Sequence, residues 1–117
     1  MVTLSQEVNS SMYINDREEE GKFLKRKYPN HQPCFVRYKG KISRHLLPNE
    51  QLYSFLLFTI RKARQIDPTI AVMSLMETPK GSSITPSGAS TIGELANKYK
   101  HEDGFCYIEF VNENVFG

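Results

Sequence analysis

Residues 49–64 read NEQLYSFLLFTIRKAR, and this stretch decides the fold. Leu52, Leu56, Ile60 and Ala63 recur at close to the 3.6-residue period, which predicts an amphipathic helix with one apolar stripe. Asn49 stands where a side-chain cap belongs, and Arg61, Lys62 and Arg64 gather at the far end, where the helix dipole favours cations. Asp67 and Pro68 close the element. One such helix must bury its stripe on something else, and the apolar run at residues 70–76 supplies a strand apolar on both faces, as expected for a central position. A central strand implies neighbours on both sides.

Upstream, residues 33–38 hold Cys34, Phe35 and Val36 and read as a strand; Gly40 marks a turn, and residues 42–47 form the second arm of a hairpin. Before it, Asp16 and Glu19 have capping-box spacing, and Phe23, Leu24 and Tyr28 define a short charged helix that Pro29 ends. Residues 1–15 are polar with scattered apolar positions and are read as a weakly ordered or helical extension to a domain at 16–117.

Downstream, residues 77–90 are rich in Gly, Ser, Thr and Pro and form a loop. Thr91 and Glu94 repeat the capping-box spacing ahead of Ile92, Leu95 and Tyr99. After Gly104, residues 105–111 alternate. Cys106, Ile108 and Phe110 take the inward face, and Phe105, Tyr107 and Glu109 the other. Phe35 shares its face with Arg37, so Phe35 and Phe105 both read as solvent-facing unless the helix near residues 20–28 covers them. The order is α+β: a β-grasp arrangement like that of ubiquitin, with a four-stranded mixed sheet, a packed central helix and an N-terminal helical extension.

The bulk properties exclude several classes. A chain of 117 residues supports one core, and 39% hydrophobic with 24% charged residues is ordinary for a folded domain. A net charge of +2 gives no concentrated basic face, so no nucleic acid partner is expected. Cys34 and Cys106 lack metal-ligand spacing and read as buried free thiols in a reducing, cytoplasmic setting; neither metal nor cofactor is expected. The nearly apolar residues 55–60 are too few to span a bilayer.

Five short motifs stand in a shared order: Lys27-Tyr28-Pro29 followed by Pro33, Leu46-Leu47-Pro48, Ile60-Arg61-Lys62, Glu102-Asp103-Gly104-Phe105, and Asn114-Val115-Phe116-Gly117. On these the chain resembles the autophagy modifiers of the GABARAP and microtubule-associated light chain type, from about residue 16 to residue 117. It departs from them at Met12, Tyr13 and Ile14, in a shorter connection between Tyr38 and Leu46, and in a longer loop at 78–87.

The resemblance implies conjugation of Gly117 to phosphatidylethanolamine, which attaches the modifier to autophagosomal membranes. It implies activating and conjugating enzymes, a processing or deconjugating cysteine protease, and receptors with an aromatic-x-x-aliphatic motif. Their peptide would dock by adding a strand to the sheet edge. Carried over by position, the aromatic pocket takes Glu20, Leu24, Pro33, Phe35, Leu46 and Phe105 with Arg44 at its rim; the aliphatic pocket takes His45, Leu47, Pro48, Leu56 and Thr59. His45 replaces a usual tyrosine and Thr59 a usual aliphatic residue, which makes that pocket more polar and sensitive to pH. Arg61, Lys62 and Arg64 are either a solvated face or a lure for acidic residues beside the peptide.

Alternatives are a non-conjugated peptide-docking domain and a modifier conjugated to protein. Enzyme activity is not expected: His31 and Cys34 are close in sequence, but no third orienting group is evident, and Lys80-Gly81-Ser82 lacks the ending of a phosphate-binding loop.

Overall fold

The computed structural model describes residues 2–3 and 14–113, which form β1 (Val2–Thr3), α1 (Ile14–Lys27), β2 (His31–Tyr38), β3 (Lys41–Pro48), α2 (Tyr53–Ala63), β4 (Val72–Glu77), β5 (Ser83–Ile84), α3 (Ile92–Tyr99) and β6 (Cys106–Asn112). The strands make one sheet in the order β1-β3-β2-β6-β4-β5. The expected four-stranded mixed sheet is its centre, β3-β2-β6-β4, with β2 and β6 parallel and the remaining pairs antiparallel. Two-residue strands extend it at both edges: β1 on β3, and β5 on β4. Pairings that short have no hydrophobic period to read, so the sequence does not announce them.

The hairpin turn is Lys39-Gly40, with φ of 52° and 77°. Positive φ at both central residues matches the right-handed twist of the flanking strands, and Gly40 adopts it without a Cβ penalty. On one face of the sheet, Cys34, Val36, Tyr38, Leu47, Val72, Met76, Cys106, Ile108 and Phe110 pack with Tyr53, Leu56 and Ile60 of α2 and Ile92, Leu95 and Ala96 of α3. This is the helix-across-sheet arrangement of the β-grasp. The buried stripe of α2 runs through Tyr53, Leu56 and Ile60, whereas Leu52 and Ala63, expected inside, are exposed: Leu52 precedes the helix and Ala63 ends it.

On the other face, Phe35, Leu46 and Phe105 pack with Leu24 of α1, flanked by Tyr28, Ile42 and Tyr107. The alternation in β2 and β6 is as expected, but Phe35 and Phe105 are only 4% and 0% exposed. The solvent-facing reading is therefore wrong: α1 lies over them. Gly21 permits the approach, since a Cβ there would run into the Asp103 carbonyl.

Helix ends correct two further expectations. Thr91 and Glu94 do form the capping box of α3. Asn49, however, does not cap α2, whose N-cap is Leu52 without a side-chain bond. The amides of Tyr53 and Ser54 donate instead to the carbonyls of Ser90 and Gly88, at 2.8 and 3.1 Å. The long loop thus returns to satisfy the donors that every helix start leaves open. Asp16 lies inside α1, which has already begun at Ile14, and so is not its cap. β4 and β6 each start later than the apolar runs suggested.

Candidate functional site

The residues assigned to the aromatic pocket converge, though not as an open pocket. Leu24, Phe35, Leu46 and Phe105 form one buried cluster, and Pro33 is buried beside Leu46 in the paired register of β2 and β3. The Phe35 and Phe105 rings stack at 4.4 Å. At the rim Arg44 of β3 forms an ion pair with Glu20 of α1, bridging the helix to the strand. Behind the cluster, Asp103 Oδ1 accepts from the Phe105 amide at 2.9 Å, and Oδ2 accepts from the Tyr107 hydroxyl. Gln32 ties β2 to the same turn by donating to the Gly104 carbonyl at 2.8 Å. Burial, together with the Asp103 carboxylate, raises the Tyr107 phenol well above its usual range.

The aliphatic set divides by depth. His45, Leu47 and Leu56 are buried on the α2 side of the sheet, while Pro48 and Thr59 are half-buried above them. Thr59 donates its hydroxyl to the Leu56 carbonyl at 2.9 Å, satisfying that polar group within its own helix. His45 is 1% exposed, and its Nε2 lies 2.7 Å from Ser43 Oγ. Arg64 donates to the same Oγ at 2.8 Å, and the hydroxyl, with two acceptor lone pairs and one proton, serves either tautomer of the ring at Nε2. Nδ1 has no hydrogen-bond partner among the described residues. Burial first, and the Arg64 charge second, lower the pKa of His45 to about 4.

Two of the basic residues at the end of α2 serve structure. Arg64 also donates to the carbonyls of Val36, Tyr38 and Lys41, and Arg61 to those of Asp67 and Ile70. They hold the hairpin and the α2–β4 connection, which accounts for two of the three cations without a peptide partner.

Two groups escaped the sequence reading. Arg17 stacks over the Phe35 ring at 5.5 Å and donates to the Tyr107 hydroxyl at 3.1 Å. With Phe35, Arg37, Leu75, Glu77, Tyr107 and Glu109 it lines a cavity of about 260 Å³ beside the aromatic cluster. The alternation of β6 already put Tyr107 and Glu109 on this face, but nothing local ties Arg17 to them. Phe55 and Phe58 of α2 are 56% and 62% exposed, with ring centroids 5.5 Å apart. Their signal was present: apolar residues that fall off the buried stripe.

Gly117 lies outside the described residues. Cys34 is fully buried, and burial pushes its thiol well above the ordinary value, away from the thiolate a nucleophile needs. Its register partner in β6 is Cys106, not a base.

A parallel β2–β6 pair, a hairpin and a helix crossing the sheet define a ubiquitin-like protein. The structure superimposes on that titled "Crystal Structure of Trypanosoma brucei ATG8" with a TM-score of 0.72 at 19% identity, covering 88% of this chain and 90% of that one. The family model described as "Autophagy protein Atg8 ubiquitin like" matches residues 16–117. The chain belongs to that family. It is 28% identical to Autophagy-related protein 8 of Schizosaccharomyces pombe over 108 residues, covering 86% of this chain and 85% of the relative. Against Autophagy-related protein 8d of Arabidopsis thaliana the figures are 24% over 111 residues, with 89% and 88% covered. Identities this low mark a divergent member, whose family comprises modifiers rather than enzymes.

Proposed function

We propose that the chain is a modifier joined through Gly117 to the amine of phosphatidylethanolamine on autophagosomal membranes, where it recruits receptors and adaptors carrying an aromatic-x-x-aliphatic motif. The observation that supports this reading is the extent of the family match, which runs from residue 16 through Gly117 and so covers the residues proposed here for docking and for conjugation.

Conjugation follows ordinary acyl chemistry. The Gly117 carboxylate attacks the α-phosphorus of ATP, giving an acyl adenylate and pyrophosphate. An enzyme cysteine thiolate displaces AMP to form a thioester, and the lipid amine then displaces that thiolate to form an amide. Glycine suits the position because, without a Cβ, the chain end can enter a narrow groove extended. Among the described residues no helix is long and apolar enough to cross a membrane, and in this reading the lipid supplies the attachment. The partners are the activating and conjugating enzymes and a processing or deconjugating cysteine protease. The protein is cytoplasmic until lipidated.

Docking uses the outer edge of β3, next to the Leu24, Phe35, Leu46 and Phe105 cluster. Those side chains already fill their space, so an incoming aromatic ring enters by shifting α1 away from β2 and breaking the Arg44–Glu20 pair. The aliphatic residue settles over Pro48 and Thr59.

The test is a reconstituted reaction with activating and conjugating enzymes, ATP and phosphatidylethanolamine liposomes, read by mass spectrometry. A lipid adduct on Gly117 that requires ATP is expected. An unmodified mass, with the enzymes active on a control modifier, would sink conjugation and leave a non-conjugated docking domain.

A further inference from the structure

β3 has two edges with different fates. One pairs with β2 along its whole length, from Lys41 opposite Tyr38 to Pro48 opposite His31. The other pairs, among the described residues, only with β1: Val2 lies opposite Leu46 and Thr3 opposite His45, antiparallel. Leu46 belongs to the aromatic set and His45 to the aliphatic set, so this short ladder crosses the midpoint of the groove. A peptide that fills both pockets while pairing with β3 must run through the same two residues. Each backbone amide and carbonyl on that edge serves one neighbouring strand at a time, so the two occupants exclude each other.

We propose that Val2–Thr3 is an internal competitor for the β3 edge, and that peptide docking proceeds by displacing the chain's own N-terminus. This rests on the docking reading above and concerns regulation of the same site. Ten residues, 4–13, join Thr3 to Ile14. A tether this short holds its strand at an effective concentration in the millimolar range, enough to oppose a peptide of micromolar affinity. A two-residue ladder is also weak enough to be displaced. Occupancy of this kind reduces apparent affinity by the fraction of molecules with a free edge, and it sheds weak ligands while admitting strong ones.

The experiment titrates one fluorescent peptide with an aromatic-x-x-aliphatic core into three full-length chains: the natural sequence, the double variant Val2→Pro with Thr3→Pro, and the control Val2→Thr with Thr3→Val. Proline cannot donate to the ladder, whereas the control keeps both amides. Binding roughly tenfold tighter by the proline variant alone is expected. Without peptide, the amides of His45 and Leu46 are compared by hydrogen exchange; faster exchange in the proline variant at either position supports release of the edge. Equal affinity in all three chains, or weaker binding by the proline variant, overturns the proposal while the docking reading stands. No binding by any chain overturns the docking reading, and this inference falls with it.

Discussion

One face of the sheet lies under α2 and α3, and the other under α1; the two helical covers differ in kind. Among the described residues, the α2–α3 side interlocks sixteen buried ones. Among the described side chains the α1 side gathers four, Leu24, Phe35, Leu46 and Phe105, of which the helix contributes Leu24. Most of α1 is charged, and its next large apolar residue, Phe23, is more than half exposed. Beyond α1 the same face carries the cavity at Arg37, Leu75, Glu77 and Glu109. Area buried sets how firmly a cover is held, so one face supplies stability and the other can rearrange at small cost.

The sharpest way to break this contrast is to truncate one residue on each side. Phe110→Ala, on the doubly covered face, is expected to cost about 3–5 kcal/mol, and Leu24→Ala, on the α1 face, no more than about 2–3 kcal/mol, because α1 can settle into the space. Urea unfolding of both variants measures the difference; equal losses would deny that the covers differ.

Protonation probes the α2 side from within. His45 titrates near 4 when folded and near 6.5 when unfolded, so below 6.5 the unfolded state binds the extra proton. Stability therefore falls as pH drops from about 6.5 to about 4, by up to about 3 kcal/mol. His45→Gln should flatten that slope in unfolding curves taken across the same range. The charged and polar neighbours that bear on the ring are Arg64 and Ser43.

A smaller effect is expected from Gly21→Ala, where the new methyl meets the Asp103 carbonyl and pushes α1 outward. The cost should be about 1–3 kcal/mol, with the loss of protection in hydrogen exchange confined to α1. Smallest of all is Phe58→Ser on the exposed surface of α2, expected within about 0.5 kcal/mol of the natural chain. A larger loss would show that this ring packs in solution.

Legibility in the sequence followed the range of the physics. Thr91 and Glu94 sit three residues apart and cap α3 through bonds that need nothing distant, so that cap could be read directly. Asn49 had the right chemistry for α2 but lost to the carbonyls of Gly88 and Ser90, which arrive from more than thirty residues away. The alternation of β6 sorted its side chains onto two faces correctly, yet whether Phe105 met water depended on α1. For the candidate site, the convergence of Leu24, Phe35, Leu46 and Phe105 came from resemblance, and their tight packing from the fold.

By itself the sequence determined the period of each main element, the turn at Gly40, the order of strands and helices, and hence the fold class, because these follow from backbone sterics and from apolar spacing within a few residues. Only the tertiary structure decided that α1 closes over Phe35 and Phe105, that Arg64 is spent on carbonyls of the hairpin, and that Val2–Thr3 lies along β3. Those outcomes depend on which distant surface reaches a residue first, and neither spacing nor composition records that competition.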